Sequence, residues 1–372
     1  MPRPLRNTKP NKLHLLSCRT IRSELLFVPC SKINNIVGGI LAKYANRYSI
    51  NLYAVSVLSN HYHLLADSSI KGGISLFEEN INKEISKRVN RFLNRTGSIW
   101  SRRYDDLLVV QKEDALEALT YTVTNPTKHG LVANPSSWPG ITSCNPGSNL
   151  RTKTYTYFNY TEYNKAKRKA ASTAEVVRKS DYEQEYKLEI KKLPQYNKLS
   201  DEAYEVLIEK EVKKRTRKLQ EERWSRKQKF LGRKAVLNQS RTGVFPRKTN
   251  KTKRPACYTR CKRALAEFIE ELKLIREKYN LASIKYRLGQ PPPIEKCLLI
   301  STFNTKKPNE TKQFPNIFDY KEDMPRPVRN TEPNKLHLLS CRTIKSELLF
   351  VPCSKINNIV GGILAKLSLI HI

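Results

Sequence analysis

The chain has 372 residues, enough for two domains with separate hydrophobic cores. Lys and Arg number 69 against 34 Asp and Glu, which gives a net charge of +35. A charge of this size favours nucleic acid as the partner, because phosphate contacts release counterions. The sequence contains neither an apolar run of about 18 residues nor a secretory signal, and its cysteines are scattered. We therefore expect a cytoplasmic protein that does not enter a membrane.

The two ends of the chain carry nearly the same sequence. Residues 324–366 repeat residues 1–43, and the copies differ only at Leu5/Val328, Lys9/Glu332 and Arg22/Lys345. Structural repeats diverge more than this and recur more often, so we interpret the second copy as a partial tandem gene copy. Residues 367–372 break from the repeat and resemble a translated sequencing adapter, so they are excluded from the fold prediction.

Residues 1–150 alternate between strand-like and helix-like patterns. Short apolar runs bounded by turn residues predict strands, and apolar residues at helical spacing predict helices. In chain order the predicted elements are strands over 12–19 and 24–29, a helix beginning at Ser31, two strands within 50–67 joined by a turn at Ser59-Asn60, a helix over 74–96, a strand over 105–111 and a helix over 114–125. This order predicts an α+β domain with a ferredoxin-like antiparallel sheet and helices on one face.

Beyond residue 150 the sequence becomes more polar and more basic. We predict a linker over 151–180, a basic, mainly helical DNA-binding region over 181–290, and a linker or disordered segment over 291–323. Cys257 and Cys261 are close enough in sequence to suggest zinc, but no second Cys or His pair lies near them. Two unliganded thiols are the preferred interpretation.

The segment NHYHLL (60–65) contains the first candidate site. In a strand, residues i and i+2 point to the same face, so His61 and His63 would project together while Tyr62 faces away. Two imidazoles on one face can chelate a divalent ion. A His-x-His pair on a solvated face gives the same pattern, and the spacing alone does not separate the two interpretations.

A second candidate lies at the end of the third predicted helix, in the segment YTVTNP (121–126). Tyr121 and Asn125 are four residues apart and would share one helical face. There a phenol could attack phosphorus while an amide oxygen completes a metal site. Most of the 18 tyrosines are expected to pack or hydrogen-bond instead, and Pro126 disfavours helical geometry at Asn125.

Taken in order, these segments resemble a known family. SNHYHLL (59–65), WSRRYDDLLVV (100–110) and YTVTNPTKHGLV (121–132) are similar to the REP-associated tyrosine transposases and the related HUH-type single-strand insertion-sequence transposases. The resemblance covers about residues 2–143, includes the start MPRPLRN, and extends to FLGRKAVL (230–237). Ser59 replaces a proline that is common in the family.

The resemblance implies specific roles. His61 and His63 would bind a metal, with Asn125 as a polar third ligand. Tyr121 would be the nucleophile that forms a 5′-phosphotyrosine link and frees a 3′-OH. Two imidazoles, an amide oxygen and waters suit Mg²⁺ or Mn²⁺. The expected partner is single-stranded or hairpin DNA, and a homodimer whose partner supplies the tyrosine helix is a further alternative.

Two groups of residues are candidates for DNA contact. An aromatic and basic cluster before the predicted strand at 105 suits base stacking and phosphate binding, and arginines that recur on the second helix suggest a cationic stripe. The first group is Trp100, Arg102, Arg103 and Tyr104, and the second is Arg88, Arg91 and Arg95. A core tryptophan flanked by solvated arginines is the alternative for the first group.

Two functions from different classes are compatible with the sequence. One is an enzyme that nicks and rejoins single-stranded DNA. The other is a non-catalytic nucleic-acid-binding protein, because RNA-binding modules use the same kind of small α+β sheet as a platform. Those modules usually present aromatic residues on the sheet face, whereas this sheet would present two histidines.

Overall fold

A computed structural model describes residues 8–143, 152–173, 176–241 and 255–288. The predicted segment at 291–323, the repeat at 324–366 and residues 367–372 lie outside these ranges. The first half of the fold consists of β1 (His14–Arg19), α1 (Ser31–Arg47), β2 (Ile50–Leu58), β3 (His61–Ser68), α2 (Gly73–Phe92), β4 (Asp105–Leu108), α3 (Glu113–Val123) and α4 (Asn125–Lys128). The second half consists of β5 (Thr152–Phe158), α5 (Tyr160–Thr173), β6 (Glu183–Glu189), α6 (Asp201–Ser225), α7 (Arg233–Leu237) and α8 (Lys262–Arg287).

The first four strands form an antiparallel sheet in the order β2-β3-β1-β4. Along the chain the order is β1-α1-β2-β3-α2-β4, which is that of a ferredoxin-like fold. The predicted α+β fold class is therefore confirmed. β2 and β3 form a hairpin in which Leu58 pairs with His61, so the turn falls at Ser59 and Asn60 as predicted.

The two faces of this sheet pack against different helices. The apolar face, defined by Leu16, Cys18, Tyr62 and Leu64, packs against α1 and α2. The apolar residues that α2 buries are those with helical spacing in the sequence, namely Ile74, Phe77, Ile81, Ile85 and Val89. Burial of each such side chain contributes about 1.5–3 kcal/mol of transfer free energy.

The opposite side, which we call the histidine face, is defined by Ser17, Ser56, His61 and His63. α3 packs here, with Ala118 and Leu119 buried against Leu15 and Leu65 of the sheet. The prediction that helices lie on one face is therefore correct for α1 and α2 and wrong for α3. The apolar stripe of α3 needs a buried surface of its own, and the free side of the sheet provides it.

The predicted strand over 24–29 is wrong. Leu26, Phe27 and Val28 are buried, which explains the strand-like pattern, but the backbone forms turns. The N–H of Phe27 donates to the carbonyl of Ser59 at 2.8 Å. The segment is a buried loop held against the β2–β3 hairpin.

Residues 152–173 form β5 and α5 rather than the predicted linker. β5 pairs antiparallel with β6, and both strands pack on the outer side of α1. Tyr155 and Tyr157 are buried in this contact. A Cβ on Gly38 would overlap the ring of Tyr155, so the glycine in α1 permits the close approach.

Segments from beyond residue 180 also lie along both outer strands of the four-stranded sheet. Ile190 pairs with Leu52 on β2, and Tyr258 pairs with Val109 at the end of β4. Cys257 is buried with Leu108 and Phe268, and none of the cysteines in the described ranges forms a disulfide. None of the described helices is both long and apolar enough to cross a membrane.

Candidate active site

β3 places His61 and His63 together on the histidine face, as the strand spacing predicts. β3 lies between β2 and β1, so both rings project from an inner strand of the sheet. Their ring centroids are 5.1 Å apart and the planes are nearly perpendicular. Tyr62 points to the apolar face, where its hydroxyl donates to Glu78 at 2.6 Å.

Each of the two imidazoles has a buried nitrogen without a hydrogen-bond partner. Within the part of the chain that the structure describes, no group bonds to Nε2 of His61 or to Nδ1 of His63. A buried polar atom in this condition costs about 1–3 kcal/mol. Such atoms are rare in stable cores and are typical of positions that bind a ligand.

Burial keeps both histidines neutral near pH 7. It lowers the pKa of His61 well below its usual value, and the closeness of two further imidazoles, His63 and His129, disfavours its protonation further. It lowers the pKa of His63 to about 3, with smaller contributions from His129 and Lys128. A neutral imidazole keeps the lone pair that metal coordination requires.

Asn60 orients the ring of His61. Its Oδ1 accepts a hydrogen bond from Nδ1 of His61 at 2.6 Å, which leaves Nε2 as the nitrogen with a free lone pair. The side-chain amide of Asn60 in turn donates to the carbonyl of Ser23 at 3.2 Å. Arg22 and Ser23 have φ values of 51° and 59°, a conformation that costs energy for residues other than glycine. The strained turn therefore presents the carbonyl that anchors Asn60.

α3 brings Tyr121 to the same histidines. Its ring centroid lies 5.6 Å from that of His63, and the two planes are perpendicular. Two cations face the tyrosine ring: Nζ of Lys128 is 4.3 Å from the centroid, and the guanidinium of Arg215 is 5.5 Å away. The tyrosine helix thus packs on the sheet of its own chain.

Asn125 is completely buried beside the end of this helix. α3 ends at Val123, and a separate short helix, α4, begins at Asn125 with Pro126 in its first turn. Proline is tolerated there because the N–H it lacks would have no partner within the helix. Nδ2 of Asn125 donates to the carbonyl of Tyr121 at 3.3 Å, whereas its Oδ1 has no partner among the described residues.

His129 is a site residue that the sequence analysis did not select. Its ring centroid is 4.9 Å from that of His61, and its backbone N–H donates to the backbone carbonyl of Asn125 at 3.0 Å. Tyr121, Asn125 and His129 follow one another at intervals of four residues, and this helical spacing was a signal that could have identified the third histidine.

The donors at this site fit a divalent metal. Nε2 of His61, Nδ1 of His63 and Oδ1 of Asn125 are buried atoms that lack partners in the described ranges. Two neutral imidazoles and an amide oxygen are acceptable ligands for Mg²⁺ and, better, for Mn²⁺. Across the described residues, no three His, Cys, Asp or Glu side chains are grouped so that they could hold a metal ion.

The cluster predicted from Trp100, Arg102, Arg103 and Tyr104 is divided between core and surface. Trp100 packs against Phe27 and Tyr62, and its Nε1 donates to the carbonyl of Asn82 at 2.9 Å. Tyr104 is buried as well. Arg102 and Arg103 are exposed, and Arg102 pairs with Asp105 at 2.6 Å. Base stacking by the two aromatic residues is therefore not supported by their positions.

The predicted cationic stripe on α2 is also largely engaged within the fold. Arg88 is buried, pairs with Glu84 at 2.7 Å and lies over the ring of Tyr157. Arg91 lies over Tyr160 at 4.1 Å, and Arg95 pairs with Glu24 at 3.1 Å. Packing of β5 and α5 on the domain accounts for the two contacts with tyrosine rings, that of Arg88 with Tyr157 and that of Arg91 with Tyr160. DNA contact by Arg91 and Arg95 stays a prediction.

The first part of the chain matches a family of known proteins. Residues 8–120 fit the family model described as IS200-like transposase. Over these residues the chain is therefore similar to the IS200-like transposases. The matched region contains both histidines of the site and ends one residue before Tyr121.

Individual proteins show the same similarity. A REP-associated tyrosine transposase named in Haemophilus influenzae is 28% identical over 102 residues, which cover 25% of this chain and 58% of that protein. The match thus spans little more than half the length of this curated relative. A structure of a REP-associated tyrosine transposase bound to a REP hairpin is 19% identical over 38% of this chain and 82% of that one, with a TM-score of 0.31. A crystal structure assigned to a transposase of Deinococcus radiodurans is 19% identical over 31% of this chain and 91% of that one, with a TM-score of 0.23.

Proposed function

We propose that this chain nicks and rejoins single-stranded or hairpin DNA, with Tyr121 as the nucleophile. The observation that carries the proposal is the contact of Tyr121 with His63 on the histidine face. Two buried imidazole nitrogens of this face, and the buried amide oxygen of Asn125 in α4, have no hydrogen-bond partner among the described residues. A pair of histidines on a solvated surface would be neither buried nor covered by a tyrosine. The similarity of residues 8–120 to the IS200-like transposases and the net charge of +35 support DNA as the substrate.

In the proposed reaction, Oη of Tyr121 attacks the phosphorus of a phosphodiester. The bond from Oη to phosphorus forms as the bond from phosphorus to O3′ breaks, and the phenol proton ends on the released 3′ oxygen. The products are a 5′-phosphotyrosine link and a free 3′-OH. Because the new link is also a diester, a 3′-OH can attack it and rejoin the strand without an external energy source.

His61, His63 and Asn125 are the residues that would hold Mg²⁺ or Mn²⁺. When bound, the ion would supply positive charge that polarises a phosphate oxygen. The chain itself fixes the ligands: Asn60 orients His61, and the carbonyl of Tyr121 holds the amide of Asn125. This backbone carbonyl belongs to Tyr121, the proposed nucleophile. One turn of backbone therefore positions both the phenol of Tyr121 and the amide of Asn125.

Cations at the mouth of the site would bind the substrate backbone. Arg19 is the cross-strand partner of His61 and is exposed, and Lys128 lies over the ring of Tyr121. Positive charge at these positions attracts a phosphodiester and disfavours its departure before reaction.

The test is covalent capture of labelled DNA. Purified protein is incubated with Mn²⁺ and end-labelled hairpin oligonucleotides that carry single-stranded flanks, and the product is resolved on a denaturing gel. We expect a labelled band at the mass of the protein for the wild type and none for Tyr121→Phe. Tyr258→Phe is the matched control, because the ring of Tyr258 lies 6.3 Å from that of Tyr121 and its variant should still form the adduct.

Two results would contradict the proposal. An adduct that persists in Tyr121→Phe and disappears in Tyr258→Phe would assign the nucleophile to the neighbouring tyrosine. DNA binding by the wild type without any adduct, and without change in His61→Ala, would favour the non-catalytic nucleic-acid-binding protein.

A further inference from the structure

One tryptophan lies on the surface rather than in the core. Trp224, in the last turn of α6, is 82% exposed. Trp138 is 3% exposed, and Trp100 packs against Phe27 and Tyr62. Exposure of a whole indole ring to water is unfavourable in free energy, and a large exposed aromatic ring commonly marks a binding surface.

The surroundings of Trp224 are strongly basic. We use the name tryptophan patch for Trp224 and the exposed cations of residues 217–234, which are Arg217, Lys218, Arg226, Lys227, Lys229, Arg233 and Lys234. The same stretch contains only two acidic residues, Glu221 and Glu222. Proteins that bind single-stranded nucleic acid combine these two elements, an aromatic ring for bases and cations for the backbone.

The segment that carries the tryptophan patch is held by hydrogen bonds to the loop that follows α4. The N–H groups of Leu231 and Gly232 donate to the carbonyls of Gly130 and Leu131, each at 2.9 Å. Gln220 donates to the carbonyl of Ala133 at 3.0 Å. Gly130 has a φ of 71° and no Cβ, and the guanidinium of Arg223 lies over it. Since His129 precedes this glycine and contacts His61, the patch is tied to a loop that begins at the candidate active site.

We propose that Trp224 stacks on an unpaired base of the DNA strand that leads to Tyr121, while the cations of the tryptophan patch bind its phosphates. This inference depends on the proposed function in one respect: it requires a substrate that contains single-stranded DNA. A lipid surface is a less suitable partner, because the exposed side of α6 is charged along its length rather than apolar. Duplex DNA is less suitable too, because its bases are already stacked and only phosphates remain available.

The test uses the fluorescence of Trp224 itself. Full-length Tyr121→Phe protein is titrated with an oligothymidine, so that binding is measured in a chain that cannot form the tyrosine adduct. Stacking of a base should quench the emission of the exposed indole, and Tyr121→Phe/Trp224→Ala should lose this quenching. We expect the second variant to bind the oligonucleotide about tenfold or more weakly, as measured by anisotropy of a labelled oligonucleotide.

Three comparisons make the result specific. Tyr121→Phe/Val206→Ala removes another exposed apolar side chain of the same helix, 64% exposed, and should bind like its parent. Trp224→Phe keeps a smaller ring and should fall between the parent and the alanine variant. Binding of a blunt duplex should be the same with and without the indole.

The proposal is overturned if Trp224→Ala binds oligothymidine with unchanged affinity. It is also overturned if anionic lipid vesicles quench Trp224 and DNA does not. The proposed function is judged separately by the covalent adduct, so a wild type that makes no adduct but shows tryptophan-dependent binding would refute the chemistry and leave the stacking surface intact.

Discussion

The two faces of the four-stranded sheet are built from alternate residues of the same strands, but they treat buried polar groups differently. On the apolar face each of these polar side chains has a partner: Tyr62 donates to Oε2 of Glu78, and His14 is 2.7 Å from Oδ1 of Asp106, whose Oδ2 has no hydrogen-bond partner among the described residues. On the histidine face, Nε2 of His61, Nδ1 of His63 and Oγ of Ser56 have no partner among the described residues.

Under the proposed function, this difference places the residues that stabilise the core on one face of the sheet and the residues that act on DNA on the other. Paired polar groups, such as those between β3 and α2 and between β1 and β4, add to the stability of the core. Unpaired groups reduce stability, and they persist where a ligand is to bind. We therefore expect neighbouring substitutions on β3 to have opposite consequences, according to the face on which each side chain lies.

The largest effect is expected for Tyr62→Ala. Tyr62 is 1% exposed, and its removal leaves a cavity and takes one of the hydrogen-bond donors from Glu78, which keeps the one from Asn82. We expect the free energy of unfolding to fall by about 3–5 kcal/mol, measured by urea denaturation. Tyr62→Phe should recover most of this loss. An alanine variant as stable as the wild type would show that the apolar face is not the main source of stability.

The next effect is expected for His63→Ala, one residue along the same strand. If His63 is a metal ligand as proposed, its loss should reduce adduct formation by at least about a hundredfold, since even residues that only support ligands change metal affinity or activity by 10–100-fold. Stability should change by about 1 kcal/mol or less, because the buried Nδ1 has no hydrogen bond to lose. Denaturation curves and the adduct assay measure the two quantities separately. If His63→Ala is strongly destabilised but still forms the adduct normally, His63 contributes to stability rather than to the reaction.

A smaller effect is expected for Asn60→Ala. The variant frees Nδ1 of His61 from its partner at 2.6 Å, so the ring can rotate and change tautomer. We expect Mn²⁺ to bind about 10–100-fold more weakly, measured by calorimetry without DNA. Asn34→Ala is the matched control, because that amide donates to the carbonyl of Pro139 and does not contact the histidines. Equal affinity in the two variants would show that Asn60 does not position His61.

Much of the first domain could be predicted because its signals are local. A period of two placed His61 and His63 on one face, and helical spacing located α1, α2 and α3. The burial of Leu26, Phe27 and Val28 was also visible in the sequence, but their backbone geometry was not. A buried loop and a buried strand have the same apolar composition, and only the hydrogen bond from Phe27 to Ser59 distinguishes them here.

Contacts between distant segments account for the remaining errors. The alternation of Thr and Tyr in residues 152–158 is a strand signal, but its partner β6 lies beyond an intervening helix. The sequence likewise shows Trp100 beside arginines, whereas its packing on Phe27 depends on the tertiary fold. The spacing of His129 from Asn125 is visible in the sequence, but its contact with His61 joins the two sides of the site and depends on the tertiary fold.

The pairing along the outer strands of the sheet has a consequence for solubility. The N–H of Lys191 donates to the carbonyl of Leu52 on β2 at 2.7 Å, and the N–H of Tyr258 donates to the carbonyl of Leu108 on β4 at 2.8 Å. An uncovered edge strand recruits strands of other molecules and promotes aggregation. The region that follows residue 120 therefore covers both edge strands of the sheet, and a chain shortened to residues 8–120 would expose these edges to strands of other molecules.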